Sequence, residues 1–150
     1  MNRDKYKYSS DNQHLIFSFF SIGKQGVITK VVVYEEIEDG MYNLAFGDYN
    51  YLIGEIDDKA ISNNGDTIKV LATVIETIKD FFVYKPESVI FIQGSTSNRT
   101  KLYAKIIRDN LSEIETEYQI LALETESTSL DIPDFKKEYS KFVILKKQNP

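Results

Sequence analysis

Apolar and β-branched residues are concentrated in four segments of the first 56 residues, each bounded by glycine or polar residues. Runs of this length and composition predict strands. The first segment carries bulky apolar residues on both faces, and the second is rich in valine. The predicted strands span residues 14–21, 27–36, 41–46 and 49–56. The glycines at 23 and 26 predict a tight connection between the first two strands, and Gly47-Asp48 predicts a break after the third. Residues 6–9 are a candidate for a further edge strand.

The hydrophobic period lengthens to three or four residues after residue 65, which predicts a helix over 66–82. Asn64 or Asp66 is a candidate N-cap, because a short acceptor side chain satisfies free N–H groups at a helix start. The apolar stripe of this helix consists of Ile68, Leu71, Val74, Ile75, Ile78 and Phe82. The rest of the chain predicts strands over 88–93, 118–123 and 142–145, a second helix over 99–114, and a loop or short helix over 127–139.

The order of these elements predicts the fold class. The succession β-β-β-β-α-β-α-β-β is typical of an α+β domain: a mostly antiparallel sheet with two amphipathic helices packed on one face. The length of 150 residues predicts a single α+β domain over 1–150. The polar ends, 1–10 and 147–150, are expected to be flexible.

Composition excludes several kinds of site. The chain contains no cysteine, which excludes disulfides, thiolate metal sites and cysteine nucleophiles. Its single histidine, His14, excludes sites that need two histidines, and a Ser-His-Asp centre would depend on it alone. No cofactor is predicted. The polar first 13 residues and the short apolar runs predict a cytoplasmic protein without membrane association.

The segment between the strand over 88–93 and the second helix is the strongest candidate ligand site. Small polar residues there lead into a helix, whose N-terminal N–H groups and dipole favour an anion. The candidate anion-binding residues are Gly94, Ser95, Thr96, Ser97, Arg99, Thr100, Lys101 and Lys105. The loop lacks the spacing of a Walker A motif. In the alternative interpretation Ser97 or Asn98 merely caps the helix, and Arg99 pairs with an acid.

A basic strip on the second helix extends this candidate site. Lys101, Lys105 and Arg108 lie on one helical face, which with nearby tyrosines is compatible with a nucleotide or a single-stranded nucleic acid. Eighteen Lys and Arg against 23 Asp and Glu give a net charge of −5, so no global field for duplex nucleic acid exists. The alternative is an ordinary solvated helix face.

Acidic residues between the strands and the first helix are candidate partners for Arg99. We expect Asp48, Asp57 or Asp58 to fill this role. Oxygen-rich loops also hold divalent cations, but the spacing around Gly65 does not match an EF-hand. Neither a metal site nor a catalytic residue is therefore predicted.

Four motifs together resemble a family of small bacterial domains of unknown function, seen mostly in Bacteroidota. The motifs are YNLAFGD (42–48), DDKAISNNGD (57–66), KVLATV (69–74) and GSTSNRTKLY (94–103). The resemblance covers about residues 17–107. It implies a stand-alone cytoplasmic protein connected with phage, plasmid or defence loci, and it supplies no activity and no catalytic residues.

These observations favour a non-enzymatic protein-interaction module, because no nucleophile–base constellation is evident. Its partner is either an unidentified protein or a second copy of the chain. The first alternative is a protein that binds the phosphate of a nucleotide or nucleic acid through residues 94–100. The second is a metal-dependent phosphoryl-transfer or hydrolytic enzyme that uses Asp48, Asp57 and Asp58 with Arg99.

Overall fold

The protein is described by a computed structural model over residues 4–57, 64–94, 97–124, 129–134 and 137–147. The helices are α1 (Thr67–Tyr84), α2 (Ser97–Asp109) and α3 (Leu111–Ile114). The strands are β1 (Ser9–Ser10), β2 (Ile16–Gly23), β3 (Gly26–Glu38), β4 (Met41–Asn50), β5 (Glu55–Asp57), β6 (Val89–Ile92), β7 (Tyr118–Glu124), β8 (Leu130–Asp131) and β9 (Tyr139–Lys146).

The strands of the described residues form a nine-stranded sheet of order β1-β2-β3-β4-β6-β9-β7-β8, with β5 paired to β4. The pairing of β4 with β6 is parallel, whereas β1–β2, β2–β3, β4–β5, β6–β9, β7–β8 and β7–β9 are antiparallel. The predicted α+β class with a mostly antiparallel sheet is confirmed.

Backbone contacts divide the chain into two compact units. The first consists of Met1–Tyr34 and Ala45–Lys85, and the second of Glu35–Leu44 and Pro86–Pro150. The single domain expected from length stays a prediction. Residues 1–10 were expected to be flexible. Within them, however, the Tyr6 N–H donates to the Thr73 hydroxyl at 2.9 Å, which attaches this segment to α1 at residue 6.

The core of the first unit forms where α1 covers one face of the β2–β3 hairpin. Tyr34 stacks on Phe81 with ring centroids 4.4 Å apart, and Phe17 meets the Tyr34 ring edge-on at 5.7 Å. The Tyr34 hydroxyl lies 3.0 Å from the Thr77 hydroxyl, which satisfies both polar groups in the buried interior. The face of the hairpin that packs on α1 is called the inner face below.

Helix α1 follows its predicted stripe except at its start. Val74, Ile75, Ile78 and Phe82 are buried, but Ile68 in the first turn is 72% exposed. Asp66 stands at the N-cap position without a side-chain capping bond. The capping prediction is therefore wrong in its chemistry, because the Asp66 carboxylate accepts hydrogen bonds from two hydroxyl groups instead.

Asn64 ties the β2–β3 turn to the residues that precede α1. Its side-chain carbonyl accepts from the Gln25 N–H at 2.6 Å, and its amide donates to the Gly26 carbonyl at 2.9 Å. The same amide donates to the Ser21 hydroxyl at 3.1 Å. Asn64 is 2% exposed, so each lost bond leaves a buried polar group without a partner.

Two strand predictions in the first unit are wrong at their boundaries. The expected break at 47–48 is absent, since β4 runs through to Asn50. The strand expected over 49–56 is instead the end of β4, a turn at 51–54 and the short β5. Glycine at 47 marks a close approach of β5: an added Cβ would lie 2.7 Å from the Asp57 carbonyl oxygen. The Gly54 φ of 69° accounts for the turn.

The second unit has its core between β6, β9, β7 and α2. Ile90, Phe142, Ile144 and Ala122 are fully buried, and α2 contacts β9. The prediction of a single helix over 99–114 is wrong, because the helix is interrupted at Asn110 and divided into α2 and α3.

Asn110 accounts for this interruption. It is buried, and its side-chain amide donates to the Ile106 carbonyl at 2.8 Å, an acceptor that it shares with its own backbone N–H, which also donates to the Ile107 carbonyl. In 127–139, Leu130–Asp131 forms β8 rather than part of a loop or helix.

We predict that Asn64→Ala lowers the free energy of unfolding by about 3 kcal/mol, because it leaves buried hydrogen-bonding groups of the β2–β3 turn without their partner. Urea denaturation measures this change. Asn43→Ala is the matched control, since Asn43 is half-buried in β4 and has no side-chain hydrogen bond to the described residues. Equal losses in the two variants would show that Asn64 does not hold the turn.

Candidate functional site

A hydrogen bond joins the first residue of the predicted anion loop to a residue in the first turn of α2. The Gly94 N–H donates to the Thr100 hydroxyl oxygen at 3.1 Å, and Thr100 is buried. Two of the proposed donor groups are therefore bonded to each other. Ser95 and Thr96 lie outside the described residues, as do the side chains of Ser97 and Arg99, although both of the latter belong to α2.

The basic strip on α2 lies at the surface. Lys101, Lys105 and Arg108 are exposed. Lys101 pairs with Glu138 at 3.4 Å, and Arg108 pairs with its neighbour Asp109 at 3.2 Å. Exposed ion pairs of this kind contribute little to stability. Because the three side chains are exposed, they remain accessible to a ligand.

The acidic candidates are partly brought together. Asp48 in β4 and Asp57 in β5 are direct cross-strand partners, while Asp58 lies outside the described residues. The Asp48 carboxylate forms an ion pair with the Lys30 ammonium of β3, a partner that the sequence did not indicate. Lys30 is only 6% exposed, and a carboxylate beside a buried ammonium offsets part of the cost of removing that ammonium from water. No group of three or more metal-ligating residues occurs among the residues that the structure describes.

His14 lies in a cluster that is not a Ser-His-Asp centre. Its Nδ1 is 2.8 Å from an Asp80 carboxylate oxygen and 3.4 Å from the Ser10 hydroxyl. A catalytic triad needs the acid on one ring nitrogen and the hydroxyl on the other, whereas here both face Nδ1. The ring stacks on Tyr84 at 3.5 Å, and the backbone φ of 56° is the left-handed conformation that histidine adopts more readily than most residues.

Asp80 and Asp11 hold the surroundings of His14 in place. Burial raises the pKa of Tyr8 strongly, and donation of its hydroxyl to Asp80 at 2.8 Å raises it further. Burial also acts to raise the pKa of Asp11, but N–H donation from Ile16 and Leu15 outweighs it and the net shift is downward. These bonds fix the residues between β1 and β2 and therefore act structurally.

A second carboxylate cluster surrounds Asp66 in the first unit. The hydroxyls of Tyr6 and Ser21 each donate to Asp66 at 2.5 Å. Burial raises the pKa of Tyr6, and the bond to Asp66 adds to the shift. Lys69 lies 4.3 Å from the centre of the Tyr6 ring. Because Ser21 is fully buried, its hydroxyl cannot reach a substrate, and the cluster serves to attach the chain start to β2.

The β2–β3 hairpin has a second face, opposite the inner face, that was not predicted from the sequence as a functional surface. Register partners point to the same side of an antiparallel pair. This outer face therefore carries Ile16, Ser18, Phe20 and Ile22 of β2 with their partners Val33, Val31, Thr29 and Val27 of β3. The signal for it was the first predicted strand, which is apolar on both faces, whereas α1 packs on the inner face.

Five side chains form an exposed apolar strip on this face. They are Ile16 (47% exposed), Phe20 (57%), Ile22 (63%), Val27 (66%) and Tyr51 (72%). Ile22 and Val27 are direct register partners, and the Tyr51 hydroxyl lies 2.7 Å from that of Thr29, the partner of Phe20. These side chains present roughly 500–600 Å² of surface, as large as the largest patch of a typical monomer.

The chain belongs to a family described as "Family of unknown function (DUF6934)", whose model matches residues 2–147. The resemblance to a domain family of unknown function is thereby confirmed. Comparisons with curated proteins and with solved structures found no match. Among the described residues, no helix is long and apolar enough to cross a membrane.

We predict that Asp48→Asn lowers the free energy of unfolding by about 3 kcal/mol, because it removes the carboxylate that faces the buried Lys30 ammonium. Adding Lys30→Met to Asp48→Asn should restore much of that loss, since the buried ammonium is then removed. A double-mutant cycle in urea measures both steps. If the two losses simply add, the ion pair is not what holds Lys30 in the interior.

Proposed function

We propose that this protein is a non-enzymatic protein-interaction module that binds its partner through the apolar strip. The single observation that carries the proposal is the contiguous exposure of Ile22, Val27, Phe20 and Tyr51 on a strand pair whose other face is a packed core. Burying each such side chain stabilises a complex by about 1.5–3 kcal/mol before the entropy of association is subtracted.

The strip is held on a rigid support, which favours binding without rearrangement. Tyr34 and Phe17 fix the inner face of the hairpin against α1, and Asn64 fixes its turn. A surface that is already ordered loses less conformational entropy when a partner covers it. An exposed apolar patch of this size on an ordered scaffold is typical of a protein-binding surface.

The hydrogen bonds of the chemically capable groups also favour an interaction role. The His14 ring nitrogen Nδ1 faces Asp80, the Ser21 hydroxyl donates to Asp66, and Lys30 pairs with Asp48. Each of these contacts joins elements of the fold. None of these three contacts brings an exposed nucleophile to a general base, and the exposed Ser10 hydroxyl, 3.4 Å from His14, faces the same ring nitrogen that Asp80 occupies.

Phosphate binding by residues 94–100 ranks second. It has in its favour the position of the loop before α2 and the exposure of Lys105. Against it stands the bond in which the Gly94 N–H donates to the Thr100 hydroxyl, because it engages one of the proposed N–H donors within the loop. The metal-dependent enzyme ranks third, since Lys30 lies against one of its carboxylates.

Photocrosslinking in the cells that produce the protein tests the proposed function. A photoreactive benzoylphenylalanine is introduced at Phe20 or Val27, with Gln119, an exposed strand position in β7, as the matched control. We expect defined protein adducts at the two strip positions and not at the control. Equal or absent crosslinking at all three positions would contradict a binding role for the strip.

A further inference from the structure

We propose that the partner is a second copy of this chain, bound face to face through the two apolar strips. The inference rests on the proposed function and adds the identity of the partner. In a twofold dimer the same patch meets itself, so the patch must be complementary to its own chemistry. Three properties of the outer face meet that requirement.

The first property is the absence of charge on the paired part of the outer face. The eight residues paired there are Ile16, Ser18, Phe20, Ile22, Val27, Thr29, Val31 and Val33, and none of them is ionisable; Glu35 follows on this face only beyond the pairs. The whole chain has a net charge of −5, so two copies repel each other in general. An uncharged face is where identical chains can approach without placing like charges opposite each other.

The second property is the kind of polar group present. Thr29, Ser18 and Tyr51 bring hydroxyl groups to this region, and in the Thr29–Tyr51 contact at 2.7 Å either oxygen can be the donor. A hydroxyl both donates and accepts, so it can pair with the same group of another copy. A partner of different sequence would gain no advantage from this symmetry.

The third property is the size of the strip. A standard interface buries about 800 Å² on each partner, and homodimer interfaces are about 65% apolar. That requires roughly 500 Å² of apolar surface from each copy, which matches what the strip presents. Two such sheet faces pack about 10 Å apart, as in a β-sandwich.

The edge of β2 offers a competing route to a dimer, and the structure obstructs it. Ser10 and Ser9 of β1 pair with Phe17 and Ser18. Farther along the same edge, the Tyr6 hydroxyl accepts a hydrogen bond from the Ile22 N–H at 3.1 Å. A second strand would have to displace Tyr6 from both Ile22 and Asp66. Association through the face requires no such displacement.

Sedimentation equilibrium of the full chain, from about 1 to 500 µM, tests the inference. We expect the mass to rise from 17.3 kDa toward twice that value with concentration. Phe20→Lys and Phe20→Asp should each weaken self-association at least tenfold, since each places like charges at the interface. An equimolar mixture of the two variants should recover association, and Gln119→Lys should behave as the wild type.

The outcomes separate this inference from the proposed function. Circular dichroism first establishes that each variant is folded, as expected for a substitution at an exposed position. A wild-type chain that stays at 17.3 kDa throughout overturns the second-copy inference. If Phe20 then crosslinks a different protein, the interaction role stands. If neither self-association nor any strip-specific adduct is found, both proposals fail. Association that Phe20→Lys leaves unchanged places the interface elsewhere and also overturns the inference.

Discussion

The packing of α1 on the inner face of the β2–β3 hairpin is the interaction on which the first unit depends. Tyr34, Phe81 and Phe17 form one aromatic cluster, and both hydroxyl groups at its centre, those of Tyr34 and Thr77, are satisfied. A strand pair that is apolar on both faces needs a cover on each. Among the described residues, α1 covers the inner face, and the strip on the outer face stays exposed. The uncovered strip is the surface on which the proposed binding function rests.

Polar residues make the hairpin a fixed platform rather than a flexible pair of strands. Asn64 bonds to both sides of the β2–β3 turn, and Asp66 binds the hydroxyls of Ser21 in β2 and Tyr6 near the chain start. Two positions of the motifs that carry the family resemblance are explained by these contacts. Gly47 from another motif is explained by the close approach of β5. The structure thus assigns these motif residues to folding.

The sequence predicted those elements whose pattern is local. The long stripe of α1 and the β-branched run of β3 specify their structure without help from distant residues. Gly47 was misjudged because a glycine at a close approach looks the same in sequence as one in a turn. Asp66 was misjudged because its hydroxyl partners, Tyr6 and Ser21, are distant in sequence. Nothing local distinguishes such an acid from a helix cap.

The candidate site was less predictable than the fold. Lys30 could not be matched with Asp48 from sequence, because that pairing depends on the arrangement of strands. The anion loop was predicted from its position before a helix, and that position does not show that Gly94 and Thr100 bond to each other. The apolar strip was hidden for a similar reason, since a strand with two apolar faces usually has both covered.

In the proposed assembly, the apolar strip on the outer face of the hairpin becomes buried when a second copy of the chain binds. Methyl NMR spectra recorded at low and high protein concentration test it most directly. We expect the methyl signals of Ile22 and Val27 to shift with concentration, while those of Ile78, buried in α1, stay unchanged. Signals of Ile22 and Val27 that stay unchanged at every concentration, or shifts confined to other surfaces, would contradict it.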